Sequence, residues 1–256
     1  MNTKDNIEAW SKNANSFGDD FLKNYRKEGD FWHKELLNDK ILENLGNVDK
    51  IKILDAGCGE GYFSRILAMR NAKVTGLEPS DFIDFAIAYE HNERLGIEYI
   101  KEDLCDFSYR ENYYDAVVSI AVVSINVMMD IPDFKTVLNN CIKSLKCGGI
   151  LSFSILHPCF TPVKFDIKKN SYSKVMNYHD NGFIAVYDYF KEVQAQQTHD
   201  FYNHRTLSTY LNFLINNGMI IKKIDEPKLD SKFDNTLYSK DCHIPTFIIF
   251  TAEKIG

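Results

Sequence analysis

Several things are scarce in this chain of 256 residues, and each scarcity removes a class of protein. No apolar run approaches the roughly 20 residues that a membrane-spanning helix requires, so no membrane partner is expected. The opening MNTKDNIEAWSKNANSF is polar and mixed in charge, without the basic-then-apolar order of a secretion signal. A cytoplasmic location is the expectation. Basic residues are not in surplus either: 30 Lys and Arg stand against 36 Asp and Glu, a formal charge of −6. No global positive field therefore draws the chain to nucleic acid or to an anionic lipid surface. The six cysteines, at 58, 105, 141, 147, 159 and 242, lack the close pairs of zinc or redox motifs. They read as reduced thiols behaving as small hydrophobes. Internal repeats, low-complexity tracts and Pro/Ser-rich linkers are absent as well.

What is present is an ordinary globular composition, 45% hydrophobic and 26% charged, enough for an extensive core. Short apolar runs alternate with amphipathic stretches, the signature of repeated βα units around a mostly parallel sheet. IKILDAG, KVTGLEPS, IEYIKEDL, YDAVVSIAVV and ILSFSILHP read as five successive strands. YFSRILAMRNA, DFIDFAIAYEHNERLG and PDFKTVLNNCIKSLKCGG read as intervening helices, the last with proline at its start and paired glycines after its end. FWHKELLNDKILENLG is a further helix before the first strand. RTLSTYLNFLINNG, MIIKKIDEP and HIPTFIIFTAEK supply a final helix and two final strands. The fold class expected is α/β, a doubly wound sheet of the Rossmann type. Residues 158–203, rich in Tyr, Phe, Lys and Asn and without clean periodicity, interrupt the pattern as an insertion over the carboxyl edge of the sheet. The domain reading is an N-terminal helical cap over 1–48, a core over 49–157 and 204–256, and a substrate-covering insertion over 158–203.

The strongest chemical signal is LDAGCGEGYFSRILA, where Gly57, Gly59 and Gly61 follow a strand and open a helix. Glycine is required where the backbone turns sharply and a ligand approaches without a Cβ in the way, and a helix amino terminus adds free N–H groups. A short glycine motif also occurs in dinucleotide enzymes and in plain tight turns. Two acids narrow the reading. Glu78 ends the second strand, 17 residues beyond Gly61, where a carboxylate accepts hydrogen bonds from both hydroxyls of a ribose. Asp103 ends the third strand at the same edge. Asp55, just before the glycines, places negative charge where a cationic ligand suits better than a pyrophosphate.

With those motifs in order, together with VMMDIPD after the fourth strand and SILHPCF at the fifth, the chain resembles the class I S-adenosylmethionine-dependent methyltransferases. Within them it is similar to the small-molecule branch that includes the ubiquinone and menaquinone methylases and bacterial members with an HPCF motif. The resemblance covers most of the chain. Its one departure is LKCGG, where Cys147 stands in place of the proline of the family's LKPGG turn. The resemblance implies a seven-stranded sheet with the last strand antiparallel and S-adenosyl-L-methionine as cofactor. It assigns Asp55, Gly57 and Gly59 to the methionine and ribose side, Glu78 to the ribose hydroxyls, and Asp103 with the Leu104 backbone to adenine. Ser119, Ile120 and Ala121 would line the methionine portion.

Methyl transfer needs alignment, exclusion of water and, for some acceptors, removal of a proton. His157, at the end of the fifth strand, is one candidate base, and the alternative is a structural histidine bonded to backbone before Pro158. His204 is a second candidate and Arg205 a substrate residue, with helix capping or an ion pair as the competing reading. Tyr178 stands for an aromatic pocket in the insertion, where packing is the competing role. Trp10, Tyr25 and Arg26 are candidate substrate residues in the N-terminal segment, which is similar to the segment that closes over the cofactor in the family; otherwise it is an apolar cap. His157, Cys159, His179, His199 and His204 show no structural zinc spacing, so no metal is expected. The function expected is methyl transfer to an O or N atom of a small-molecule acceptor, with a homodimer as the candidate assembly. The alternatives are a nucleic acid or protein methyltransferase, or a non-catalytic nucleotide-cofactor-binding protein. SIAVVSIN after the fourth strand lacks the Asn/Asp-Pro-Pro-aromatic element that holds a flipped base.

Overall fold

Apolar runs without polar alternation are stable only where both faces are covered, and here they become the strands of one sheet. The computed structural model describes residues 3–16, 27–106, 110–120, 127–160, 163–166, 171–174, 193–196 and 201–256. The strands are β1 (Lys52–Ala56), β2 (Lys73–Leu77), β3 (Glu98–Ile100), β4 (Tyr114–Ser119) and β5 (Leu145–Leu156). Two hairpins follow, β6 (Val163–Asp166) with β7 (Ser171–Lys174) and β8 (Val193–Gln196) with β9 (Phe201–His204). The chain then returns through β10 (Met219–Asp225) and β11 (Phe247–Lys254).

The seven-stranded sheet has the order β10-β11-β5-β4-β1-β2-β3. β1 to β5 are parallel, and β11 is antiparallel to both β5 and β10. Chain direction reverses its progress across the sheet at β1, between β2 and β4, which opens a crevice at the carboxyl ends of those strands. β1 and β4 are almost wholly buried, as their Ile, Leu, Ala and Val content requires.

The helices are α1 (Thr3–Ser16), α2 (Asn38–Leu45), α3 (Tyr62–Ala68), α4 (Phe82–Glu93), α5 (Val127–Asp130), α6 (Phe134–Ser144) and α7 (Leu207–Asn216). A π-helical turn, His33–Leu37, leads into α2. Two boundaries differ from expectation. α3 stops at Ala68 because Asn71, at φ +66°, leaves the right-handed region and its N–H closes back on the Ala68 carbonyl. α6 passes straight into β5 at Leu145, ahead of the glycines. The extra residues form a bulge between the pairings Tyr114↔Leu145 and Ala116↔Ile150, with Gly148 at φ +74° inside it. Both long C-terminal helices are capped by the residue type their sequence offers: Asp133 accepts from the Thr136 N–H and Thr206 from the Thr209 N–H, each at 3.2 Å.

The centre of the core stacks β5, β11 and α7. The rings of Phe153 and Phe250 lie 5.2 Å apart, and Tyr210 covers both. All three are fully buried, so truncating Phe250 to alanine would cost about 3–5 kcal/mol. No helix among the described residues is long and apolar enough to cross a membrane.

Candidate active site

At the end of β1 the chain turns through the glycines and is pinned there. The Gly57 and Cys58 N–H groups both donate to the Leu77 carbonyl at the end of β2, at 2.8 and 3.0 Å. Gly57 and Gly59 have φ of +78° and +55°, a region that favours glycine, and no heavy atom lies within 4 Å of the place a Gly59 Cβ would take. At Gly61 a Cβ would run into the Tyr99 hydroxyl. The turn therefore offers bare backbone on one side and close packing on the other.

Three carboxylates crowd this turn. Asp55 is buried and accepts from the Ser64 hydroxyl at 2.6 Å; burial pushes its carboxyl up to about 7, and the Glu78 and Glu60 charges add to the rise. Glu78 accepts from the Gly59 N–H at 3.3 Å and from the Ser80 N–H and hydroxyl at 3.0 and 2.5 Å. Burial still raises its pKa, against those bonds. Glu60 is neutralised by Arg65 at 2.7 Å in a buried pair that the Arg65 guanidinium extends to the Glu60 carbonyl. That pair was not foreseen, although an acid and a base five residues apart around a helix start are a visible signal.

A cleft of about 580 Å³, part of it open to solvent, lies over this turn. Its floor is Gly57 and Gly59. Beyond β2 it is walled by Glu78, Pro79, Ser80 and Phe82, and beyond β3 by Asp103 and Leu104. Asp103 accepts from the Cys105 N–H at 2.9 Å, and Asn140 on α6 holds the Leu104 carbonyl at 2.8 Å. On the β4 side stand Asp130 and Ile131, and Asn6, Ile7 and Trp10 of α1 form the roof. Among the described residues the lining contains three carboxylates and no Lys, Arg or His. Three acids so placed oppose the charge of a pyrophosphate, and they suit a ligand that carries ribose hydroxyls, an amino group and positive charge. The residues present thus fit the adenosyl sulfonium that the resemblance implies.

Of the expected cofactor residues, Gly57, Gly59, Glu78, Asp103 and Leu104 meet in the cleft. Asp55 lies buried beneath the turn, and Ser119 and Ile120 are buried at the end of β4. Trp10, expected at the substrate, lines the same cleft. Ala121, Tyr25, Arg26 and Tyr178 lie outside the described residues. Asn6, Ile7, Phe82, Asp130 and Ile131 were not foreseen; the i, i+4 spacing of Asn6 and Trp10 on α1 was the available signal.

Arg205 requires a correction. Its guanidinium is buried and donates to the carbonyls of Met128, Met129, Ile131 and Pro132 at 2.8–3.4 Å, with the Phe134 ring 4.3 Å from its centre. Both terminal nitrogens, Nη1 and Nη2, are directed at backbone, so the guanidinium clamps α5 and the turn that leads into α6. Asn203 and Tyr210 donate to carbonyls of α5 as well. Capping of α7 falls to Thr206. His157 has both ring nitrogens engaged: Nδ1 accepts from the Cys159 N–H at 3.1 Å, and Nε2 meets Glu226 at 2.7 Å. It is buried and does not line the cleft. His204 is buried at the end of β9, paired with Val193.

Residues 54–153, which span β1 to most of β5, match the family model of a methyltransferase domain. The chain is 29% identical over 129 residues to a ubiquinone biosynthesis O-methyltransferase of Coxiella burnetii, a match covering 50% of this chain and 53% of that protein. The chain spans about half the length of the curated relatives it matches. Among solved structures it is similar to an S-adenosylmethionine-dependent methyltransferase of Mesorhizobium loti, with a TM-score of 0.66, 21% identity, and coverage of 84% of this chain and 96% of that one. It is also similar to a Burkholderia thailandensis 1,6-didemethyltoxoflavin-N1-methyltransferase bound to S-adenosylhomocysteine, with a TM-score of 0.60, 12% identity, and coverage of 100% and 92%. The fold and its glycine-and-acid cleft define a class I S-adenosylmethionine-dependent methyltransferase domain. Over residues 54–153 this chain is similar to members of that family.

Proposed function

We propose that the protein binds S-adenosyl-L-methionine in this cleft and methylates an O or N atom of a small molecule. The observation that carries the reading is the composition of the cleft: a bare glycine turn, acids at the ends of β2 and β3, and no cationic side chain among the described residues of the lining. When bound, the cofactor supplies an electrophilic methyl group on a sulfonium. Glu78 would take the ribose hydroxyls and Asp103 the adenine amino group, with Phe82 and Leu104 as apolar walls. Gly57 and Gly59 allow the backbone to approach, and Asp55 beneath them supplies charge of the sign a sulfonium favours. Trp10 and α1 exclude water from above, and the insertion over 158–203 covers the acceptor. One similar protein is named for ubiquinone biosynthesis and another for 1,6-didemethyltoxoflavin, which agrees with specificity residing outside the shared domain.

The transfer asks for alignment more than for a base. We assign His157 to holding the HPCF turn, since both its nitrogens are committed there. Calorimetric titration with S-adenosylhomocysteine tests the reading: Glu78→Ala and Asp103→Ala should each weaken binding about 10- to 100-fold, the loss of one or two hydrogen bonds to a carboxylate. Unchanged affinity in both variants would refute it.

A further inference from the structure

We propose that Asn6 is a ligand-binding residue whose side-chain oxygen accepts a hydrogen bond from the ammonium of the methionine end of the cofactor. The inference rests on the methyltransferase reading above and extends it to a residue on α1.

Asn6 is 3% exposed and lines the cleft. Its amide orientation follows from its neighbour: the Asp130 main-chain carbonyl, 2.5 Å away, can only accept, so Nδ2 faces it and Oδ1 faces elsewhere. Oδ1 is buried and has no hydrogen-bond partner among the described residues. A buried acceptor left unmet costs about 1–3 kcal/mol, a cost that a donor on the occupant of the cleft would remove.

Topology says which part of the occupant that is. α1 crosses the carboxyl edge from the β4 side to the β2 side: Asn6 is tied to Asp130 after β4, while Ser11 accepts from the Asp81 N–H after β2 at 3.2 Å. Adenine and ribose belong at the β2 and β3 end, beside Glu78 and Asp103. The β4 end is left for the amino-acid portion, whose only hydrogen-bond donor is its ammonium. Asp130 lines the cleft beside Asn6 and brings negative charge to the same end. The Asp130 carbonyl also receives Asn203 at 3.0 Å, so the ammonium site is tied to the root of the insertion through one backbone carbonyl.

The test compares two ligands on the full chain by calorimetry: S-adenosylhomocysteine, and 5′-methylthioadenosine, which keeps the adenosine and thioether and lacks the amino-acid end. Asn6→Ala should weaken S-adenosylhomocysteine about tenfold and leave 5′-methylthioadenosine within about twofold. Asn6→Asp, which keeps the acceptor and gives up the tether to the Asp130 carbonyl, should retain the preference for S-adenosylhomocysteine. Equal losses for both ligands in Asn6→Ala would reduce Asn6 to a clasp for α1 and overturn the proposal, as would no loss for either. Wild-type protein that binds neither ligand would overturn the methyltransferase reading itself, a result distinct from the other two.

Discussion

Asp55→Asn tests the electrostatics of the glycine turn most directly. In the folded chain burial raises this carboxyl from its usual 3.8 to about 7, with the neighbouring Glu78 and Glu60 charges adding to the effect. A carboxyl raised on folding prefers its protonated form there. Its contribution is intact below pH 3.8, is lost steadily as pH rises through the interval to about 7, and is constant above. At about 1.36 kcal/mol for each unit, the whole loss is about 4 kcal/mol, of which about 2.5 kcal/mol falls between pH 5 and pH 8. Asparagine cannot ionise, and its carbonyl still accepts from Ser64, so it escapes that loss. Its added N–H₂ needs a partner, which subtracts about 1–3 kcal/mol at every pH. The variant should therefore gain on the wild type by about 2.5 kcal/mol on going from pH 5 to pH 8, measured by urea unfolding without ligand. Its affinity for S-adenosylmethionine should drop progressively below that of the wild type over the same range, because only the wild type gains a charge under the turn as pH rises. A stability difference that does not change with pH would refute the reasoning.

Three further outcomes are expected. Trp10 lines the cleft, whereas the Trp32 indole donates to Asp241 at 3.0 Å, outside its lining; a fluorescence change on adding S-adenosylhomocysteine should largely vanish in Trp10→Phe and persist in Trp32→Phe. Arg205→Lys should lower stability by about 2–4 kcal/mol in urea, since an ammonium cannot replace a fork that reaches four carbonyls, and a change below about 0.5 kcal/mol would show the clamp to be idle. His157→Gln should leave the pH profile of methyl transfer unaltered, and loss of one limb of that profile would restore a proton-transfer role to His157.

Some of the site was legible in the linear chain for a physical reason. Glycines at 57, 59 and 61, an acid at 78 and another at 103 each sit at the end of a strand, and strand ends are marked locally by a change from apolar to polar residues. A parallel sheet then places successive strand ends side by side, so local marks suffice to bring Gly57, Gly59, Glu78, Asp103 and Leu104 together. The helix starts at Asp133 and Thr206 were equally local. The ends of α3 and α6 were less so, since Asn71 in a left-handed conformation and the bulge at Gly148 depend on what the neighbouring strand allows.

The sequence by itself determined the class of fold, the strand order's raw material and the acidic glycine turn, because periodicity, strand ends and turn residues are properties of neighbours along the chain. Only the tertiary structure decided the allocation of the rest. His157 and Arg205 look equally able to serve chemistry when read in line; folding commits one to Glu226 and a backbone N–H and the other to four carbonyls. Asn6 drew no notice as one polar residue on a polar helix. Folding buries it against Asp130, its partner 124 residues away in sequence, at the β4 end of the cleft. Hydrogen-bond partners separated by such distances are chosen by packing, and packing is a property of the whole molecule.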